Sequence, residues 1–286
     1  MRALVTGATG FVGRNLCAYL VESGWLVTAL HREESSAETL TALTNLGVQT
    51  YGYSRFTDIS QIVDSGQPDV VFHLAAHFSR SPQAEDITAY IASNVTFGTH
   101  LIDALVGTST TIVNAASYSQ FRAGKQEPTS LYAASKQAFL SVARYYSDHH
   151  SLDFRSVVLN DNYGPDDSRD KLVNQLVNAV RTNVPIALGN SEQWINLMHI
   201  RDLVVGLVAA SAPGEPEFMR VRADEDVTVA TVVKIVDDAA GNTLVKTFHN
   251  DLPTDDRVLQ PSTWPRPSGW TPQTPLDVGL RELLRQ

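Results

Sequence analysis

Tyr132 and Lys136 stand four apart in the segment YAASK. That spacing puts both side chains on one face of a helix. A phenol with a pKa of ~10 is a poor acid–base group at neutral pH. A neighbouring ammonium stabilises the phenolate and lowers that pKa. Such a pair can trade a proton with a carbonyl oxygen while hydride moves at its carbon. Upstream, Ser117 ends the run TIVNAAS, with Ser119 close behind. A hydroxyl there can hydrogen-bond a carbonyl oxygen as negative charge develops. Alone, a Tyr-x-x-x-Lys match reads equally as a surface helix pair.

The hydride needs a carrier, and the N-terminus offers a cradle for one. Gly7, Gly10 and Gly13 lie in GATGFVG, between an apolar strand and a helical stretch. One glycine permits a tight turn, another lets backbone approach a pyrophosphate, and a third allows close helix–strand packing. The anion then sits on a helix N-terminus. The second strand runs to Leu30 and is followed by His31, Arg32, Glu33 and Glu34. No acid stands at the strand tip to grip ribose hydroxyls. Arg32 suits a 2′-phosphate, so NADP(H) is the expected cofactor. Glu33 as a ribose acid would leave NAD(H) open.

The elements that must position these groups alternate. Strands are predicted at 2–6, 25–30, 48–53, 69–74, 111–115 and 154–159, and helices at 11–23, 91–105 and 131–148. Near-continuous apolar strands between amphipathic helices argue for a parallel sheet covered on both faces. The fold class is therefore α/β, a doubly wound Rossmann sheet. After Leu159 come a polar turn region at 161–170, helices at 171–180 and 201–210, and short strands at 185–188 and 195–199. Residues 1–160 plus 186–212 read as the NADP-binding domain. Residues 161–185 plus 213–286 read as a smaller, discontinuous substrate lobe.

The chain has 286 residues, one cysteine and a formal net charge of −9. The charge disfavours nucleic acid and lipid surfaces as partners. No run approaches the ~20 apolar residues of a membrane span. The glycines interrupt any secretory-signal pattern. Cys17 has no partner for an internal disulfide, which suits a reducing, cytoplasmic setting. No metal-ligand pattern is present, and the adjacent pair His149–His150 points two ways on a helix end.

The Gly-x-x-Gly-x-x-Gly loop, Tyr132, Lys136 and Ser117 together resemble the short-chain dehydrogenase/reductase family. GATGFVG is similar to its extended, nucleotide-sugar-modifying branch. Phe121 falls where that family has an aromatic four residues after the catalytic hydroxyl, which favours Ser117 over Ser119. The resemblance implies a cofactor site of Gly7, Thr9, Gly10, Phe11, Val12, Gly13 and Arg32, with Leu74, Ala75 and Ala76 of HLAA beneath the cofactor. Asp58 resembles an adenine-contacting Asp, with a helix N-cap role as its alternative. Asn94 in NVTFGT is similar to a family Asn that bridges backbone or joins a proton relay, and the bridging role is preferred. His73 reads as a core histidine.

The turn NYGP, the segment MHIRD and the tail from GWTP resemble parts of nucleotide-sugar enzymes. His77, Ser117, Tyr118, Asp161, Lys171, Leu172 and Arg257 are the implied substrate contacts. Asp161 departs from the family pattern, which has Asn there. Tyr118 and Ser119 occupy the positions of the Asp–Glu pair of 4,6-dehydratases, so water elimination is not expected. The implied reaction is NADPH-dependent reduction at C4 of a nucleotide-linked 4-keto-6-deoxyhexose, by 4-ketoreductases acting on CDP- or dTDP-linked sugars. One alternative is an epimerase with tightly held NAD. Another is a non-catalytic cofactor-sensing protein on the same fold. The helix from Tyr132 carries Phe139, Val142 and Tyr146 and would pair two subunits in a homodimer, or pack internally.

Overall fold

The computed structural model describes residues 1–79, 82–122, 125–241, 243–255 and 264–285. Seven strands form one parallel sheet: β1 (Arg2–Thr6), β2 (Leu26–Arg32), β3 (Gln49–Tyr53), β4 (Val70–His73), β5 (Thr111–Ser117), β6 (Asp153–Leu159) and β7 (Phe218–Val221). Their spatial order is β7-β6-β5-β4-β1-β2-β3. Every neighbouring pair is parallel. The four residues of β4 and four of the five in β1 are buried, as a sheet covered on both faces requires. The order reverses between β1 and β4, and ligands bind beyond the strand ends at such a switch point.

Helices cover both faces. On one, α1 (Phe11–Glu22) and α8 (Ile200–Ala209) pack with Leu16, Leu20, Leu203 and Leu207 over Val5, Phe72 and Val113. On the other, α3 (Asp58–Gly66), α5 (Phe97–Asp103) and α6 (Leu131–His150) bury Ile59, Leu101 and Phe139 against Val71 and Ile112. A third core is shared by α7 (Leu172–Thr182), α9 (Val229–Ala240) and α10 (Leu276–Arg285) through Leu176, Val232 and Leu280. No described helix is long and apolar enough to cross a membrane.

Several elements differ from the sequence expectation. The helix expected over 91–105 begins earlier and is broken into α4 (Asp86–Ile91), a π-helical turn (Ala92–Thr96) and α5. Its first turn is polar, which hid the start. The polar region after Leu159 contains a strand, Asp161–Tyr163, paired with Leu197–His199. Phe218–Val221, assigned to the lobe, is the edge strand of the main sheet, paired with β6. Ile186–Leu188, assigned to the first domain, pairs with Lys246–Phe248 in a separate two-stranded sheet. Parallel pairing joins strands distant in sequence, and local periodicity carries no record of the partner.

Two motif segments serve the scaffold. His199 of MHIRD caps α8 by accepting from the Arg201 N–H. Asp202 accepts from the Thr274 N–H at 2.8 Å, and its carbonyl accepts from Trp270 Nε1 at 3.0 Å. Trp270 of GWTP is thus buried in the first core. Trp270→Ala is expected to cost about 3–5 kcal/mol of stability, read by urea denaturation. A loss under about 1 kcal/mol would deny the tail this anchoring role.

Candidate active site

The glycine loop is built by exclusion. Gly7 has φ +70°, and a Cβ there would lie 2.7 Å from the Ala75 N and 2.8 Å from the Leu74 carbonyl carbon. The end of β4 therefore runs directly against the loop. A Cβ on Gly13 would lie 2.2 Å from the Gly7 carbonyl oxygen, so α1 can press against the loop only with glycine there. Gly10 differs: only the Gly7 oxygen, at 3.3 Å, lies near its Cβ position. It caps α1 without any side-chain bond. The arrangement is a cradle with one open side above a helix N-terminus, and it fits a dinucleotide pyrophosphate.

Two adjoining hollows share Gly7, Gly10, Leu74 and Ala76. The smaller, about 200 Å³, is walled by Thr9, Leu30, His31, Arg32, Ser35, Tyr53, Ala75, His77, Ser93 and Phe97. β2 extends through Arg32, so Arg32 stands at the tip where an acid is missing. The larger, about 540 Å³, is lined by Phe11, Val12, Gly13, Ser117, Tyr118, Tyr132, Lys136, Asp161 and Lys171, among others. A glycine cradle thus opens on one side to an adenosine-sized space. On the other it opens to a cleft lined by Tyr132 and Lys136.

Each of these side chains is held by its element. Ser130 caps α6 by accepting from the Ala133 N–H at 3.2 Å, which places Tyr132 and Lys136 on the first turns. The Lys136 ammonium lies 5.9 Å from the centre of the Tyr132 ring. Lys136 is only 8 % exposed, and that burial pulls its pKa down to about 8. Ser117 closes β5 and caps the short turn Tyr118–Gln120. Its own N–H donates to Gln120 Oε1 at 2.7 Å, and its Oγ lies 2.8 Å from Ser119 Oγ. Both serines therefore reach the cleft together.

One electrostatic expectation is reversed. Tyr132 is pushed up to about 12, first by burial, then by the carboxylate of Asp161 and by Tyr90. Desolvation of the phenolate is the main cause, so the phenol rests above its ordinary range even with Lys136 nearby. The resting phenol is protonated. Asp161 is itself balanced by Lys171 Nζ at 3.4 Å and accepts from the Tyr118 hydroxyl at 3.4 Å, which tempers its repulsion of a phosphate.

Asn94 sits on the π-helical turn, buried, and bridges. Its Oδ1 accepts from the His77 N–H at 2.6 Å, while its Nδ2 donates to the His77 carbonyl at 3.1 Å and to Ser135 Oγ at 2.9 Å. Ser135 in turn donates to the Tyr132 carbonyl at 2.8 Å. The loop after β4 is thereby tied to the first turns of α6. His73 is a core histidine, bonded to Thr6 Oγ1 at 2.9 Å, and burial lowers its pKa to about 3.

Other expected residues sit elsewhere. The His77 imidazole pairs with Asp86 at 3.0 Å and borders the smaller hollow, not the larger cleft. Asp58 lines neither hollow. Its carboxylate accepts from the Ser54 and Arg55 N–H groups and pairs with Arg55, fastening the entry to α3. Thr57, not Asp58, is the N-cap residue. Leu172 packs against the lobe core because the first turn of α7 directs it there. Arg257 lies outside the described residues. Phe78, Thr129, Asn162 and Arg169 line the larger cleft and were not anticipated. Their positions depend on segments that meet only in three dimensions. No cluster of three or more metal-ligating side chains occurs among the described residues.

The family model described as the NAD dependent epimerase/dehydratase family matches residues 3–219. The chain is 23% identical to CDP-abequose synthase of Yersinia pseudotuberculosis, over 85% of this chain and 86% of that one. It is 22% identical to a probable UDP-glucuronate 4-epimerase of Rhizobium meliloti, over 98% and 95%. In structure it superposes on a UDP-glucuronic acid 4-epimerase from Bacillus cereus with a TM-score of 0.85 at 21% identity, covering 100% of this chain and 99% of that one.

Proposed function

The chain belongs to the NAD dependent epimerase/dehydratase family, and on that premise we propose that it reduces the 4-keto group of a nucleotide-linked 4-keto-6-deoxyhexose, with NADPH as reductant and Tyr132 as proton donor. One observation carries the reading. Ser117, Tyr132 and Lys136 share a cleft with the glycine cradle, and the two positions after Ser117 hold Tyr118 and Ser119 rather than carboxylic acids. The site has a proton donor and a carbonyl hydrogen-bond donor but no acid–base pair there for eliminating water. A reductase also begins its cycle with a protonated phenol, which burial and Asp161 maintain.

NADPH, when bound, supplies hydride to the carbonyl carbon. The Ser117 hydroxyl then donates to the oxygen and stabilises it as charge grows. Tyr132 delivers its proton to that oxygen. Lys136 stands behind the phenol as a buried cation and steadies the phenolate left behind. Lys171 sits at the substrate side, where it can meet a nucleotide diphosphate.

The test is a panel of CDP- and dTDP-linked 4-keto-6-deoxysugars with NADPH and NADH, following loss of reduced-cofactor absorbance. Turnover with NADPH is expected, and no turnover across the panel sinks the reading. Arg32 supports the choice of NADPH, since it stands at the β2 tip beside Ser35 in the smaller hollow. Arg32→Ala is expected to weaken NADPH about tenfold or more while sparing NADH, because a charge-assisted contact to the 2′-phosphate is lost. Equal losses for both cofactors would remove the 2′-phosphate role.

A second reading, NAD-dependent epimerisation of a nucleotide sugar, is favoured by the 98% span of the match to a probable 4-epimerase. Such an enzyme would purify with cofactor bound and interconvert sugars without added reductant. The reductase reading expects neither.

A homodimer is part of the proposal, though not through Phe139, Val142 and Tyr146, which pack internally against the second core. Ile87 and Ile91 on α4 and Leu131 and Tyr145 on α6 are exposed, at the i,i+4 and longer helical spacings that make a stripe. α4 and α6 are in contact, so the two stripes can form one apolar face. Light scattering is expected to give twice the chain mass, and Ile91→Glu to give the monomer. A monomeric wild type would deny the pairing.

A further inference from the structure

Arg169 lies in the polar loop between Gly164 and α7, a stretch that the reading above leaves without a task. Its guanidinium carbon stands 4.3 Å from the centre of the Phe11 ring. Phe11 is the first residue of α1, next to Gly10. A loop from the substrate side therefore reaches across the cleft and rests on the cofactor cradle. A second contact fastens it, since Arg14 Nη2 of α1 donates to the Asp166 carbonyl at 3.3 Å.

The guanidinium is aimed by its partners. Nε donates to Asp167 Oδ1 at 2.7 Å, and Nη2 donates to Asp167 Oδ2 at 2.7 Å. Nη2 also donates to the Asn162 carbonyl at 2.9 Å and to Asn162 Oδ1 at 2.8 Å. The Asp167 side chain is buried, so the fork is held from behind. Nη1 keeps no partner among the described residues. Among the described residues, Lys136, Arg169 and Lys171 are the cations that line the larger cleft. Lys136 stands over Tyr132, and Lys171 is paired with Asp161. Arg169 is the one that touches the residue opening α1. A planar, permanently charged donor beside a glycine cradle suits a diphosphate.

We infer that Arg169 is a diphosphate-binding residue, which closes over the glycine cradle from the substrate side and presents Nη1 to a phosphate oxygen. The inference rests on the dinucleotide and nucleotide-sugar reading above. The diphosphate has two sources, the cofactor and the nucleoside diphosphate of the substrate, and the same chemistry recognises either. In both cases Arg169 makes the two halves of the cleft share one anion-binding group.

The test is calorimetric binding of NADPH, NADH, CDP, UDP and dTDP to the wild type, Arg169→Met and Arg169→Lys. 2′-AMP and adenosine are included as fragments that lack a diphosphate. Arg169→Met is expected to weaken one diphosphate class about tenfold or more and to leave the fragments within about twofold. Loss confined to the dinucleotides assigns the cofactor as source, and loss confined to CDP, UDP and dTDP assigns the substrate. Arg169→Lys should recover part of the loss and covers the case in which the methionine variant does not fold. Unchanged affinities in Arg169→Met overturn the inference. So does an equal fall for fragments and diphosphates, which would mark a purely structural loop contact. A wild type that binds none of these ligands would sink the functional reading as well, whereas wild-type binding without an Arg169 effect sinks only this inference.

Discussion

Tyr132→Phe is expected to bind NADPH as the wild type does and to lose about 10²–10⁴-fold in turnover, the range for removing a positioned acid. The phenol oxygen is all that the substitution removes, and the ring keeps its edge-on contact with Phe78, whose centre lies 5.2 Å away. Fluorescence titration of the cofactor and steady-state turnover on the sugar panel separate the two effects. A variant retaining a tenth of wild-type turnover would end the proton-donor role.

The same pair predicts a pH profile. Tyr132, held up to about 12 by burial and Asp161, stays protonated across the working range. Lys136, drawn down to about 8, is a cation below that pH and neutral above it. Turnover should therefore fall as pH rises through about 8, when the charge that steadies the phenolate disappears. Lys136→Met should lie low throughout and lack that limb. A rate that climbs steadily above pH 9 would contradict the assignment.

Gly13→Ala is the second large effect, and Gly10→Ala is its control. The methyl on residue 13 would meet the Gly7 oxygen at 2.2 Å and the Ala8 Cα at 2.7 Å. These are backbone atoms of the same tight loop, so either the loop opens or α1 shifts. The expected cost is about 3 kcal/mol or more, with cofactor binding lost. At residue 10 the backbone has φ −81° and a Cβ would meet only the Gly7 oxygen, at 3.3 Å, a tight contact that a shift of a few tenths of an ångström relieves. Gly10→Ala should fold within about 1 kcal/mol of wild type yet weaken the cofactor about tenfold, because its methyl occupies the approach to the cradle. Urea denaturation with NADPH titration reads both. If Gly10→Ala binds at wild-type strength, no phosphate approaches there.

Part of the site was legible because it is local. The glycine spacing, Tyr132 four before Lys136 and Ser117 at a strand end are all encoded within short segments. In the structure these segments fold as a strand–turn–helix, a helix start and a strand end. Asn94 was legible in identity but not in reach, since its bonds run from the π-helical turn to the loop at His77 and to Ser135 on α6. Asp58 shows the opposite case. A family-like position suggested a ligand contact, yet its carboxylate is engaged by the turn immediately before it.

What the sequence determined by itself was the alternation of buried strands and amphipathic helices, the cradle at the first turn and the helix that carries the phenol and ammonium. Apolar periodicity, glycine placement and capping act over a few residues, and so they can be read along a line. The tertiary structure alone decided that Phe218–Val221 completes the sheet, that burial and then Asp161 hold the phenol above its ordinary range, and that Arg169 rests on Phe11. Those outcomes depend on desolvation and on contacts between segments far apart in the chain. Both are set only when the packed molecule excludes water and fixes which surfaces meet.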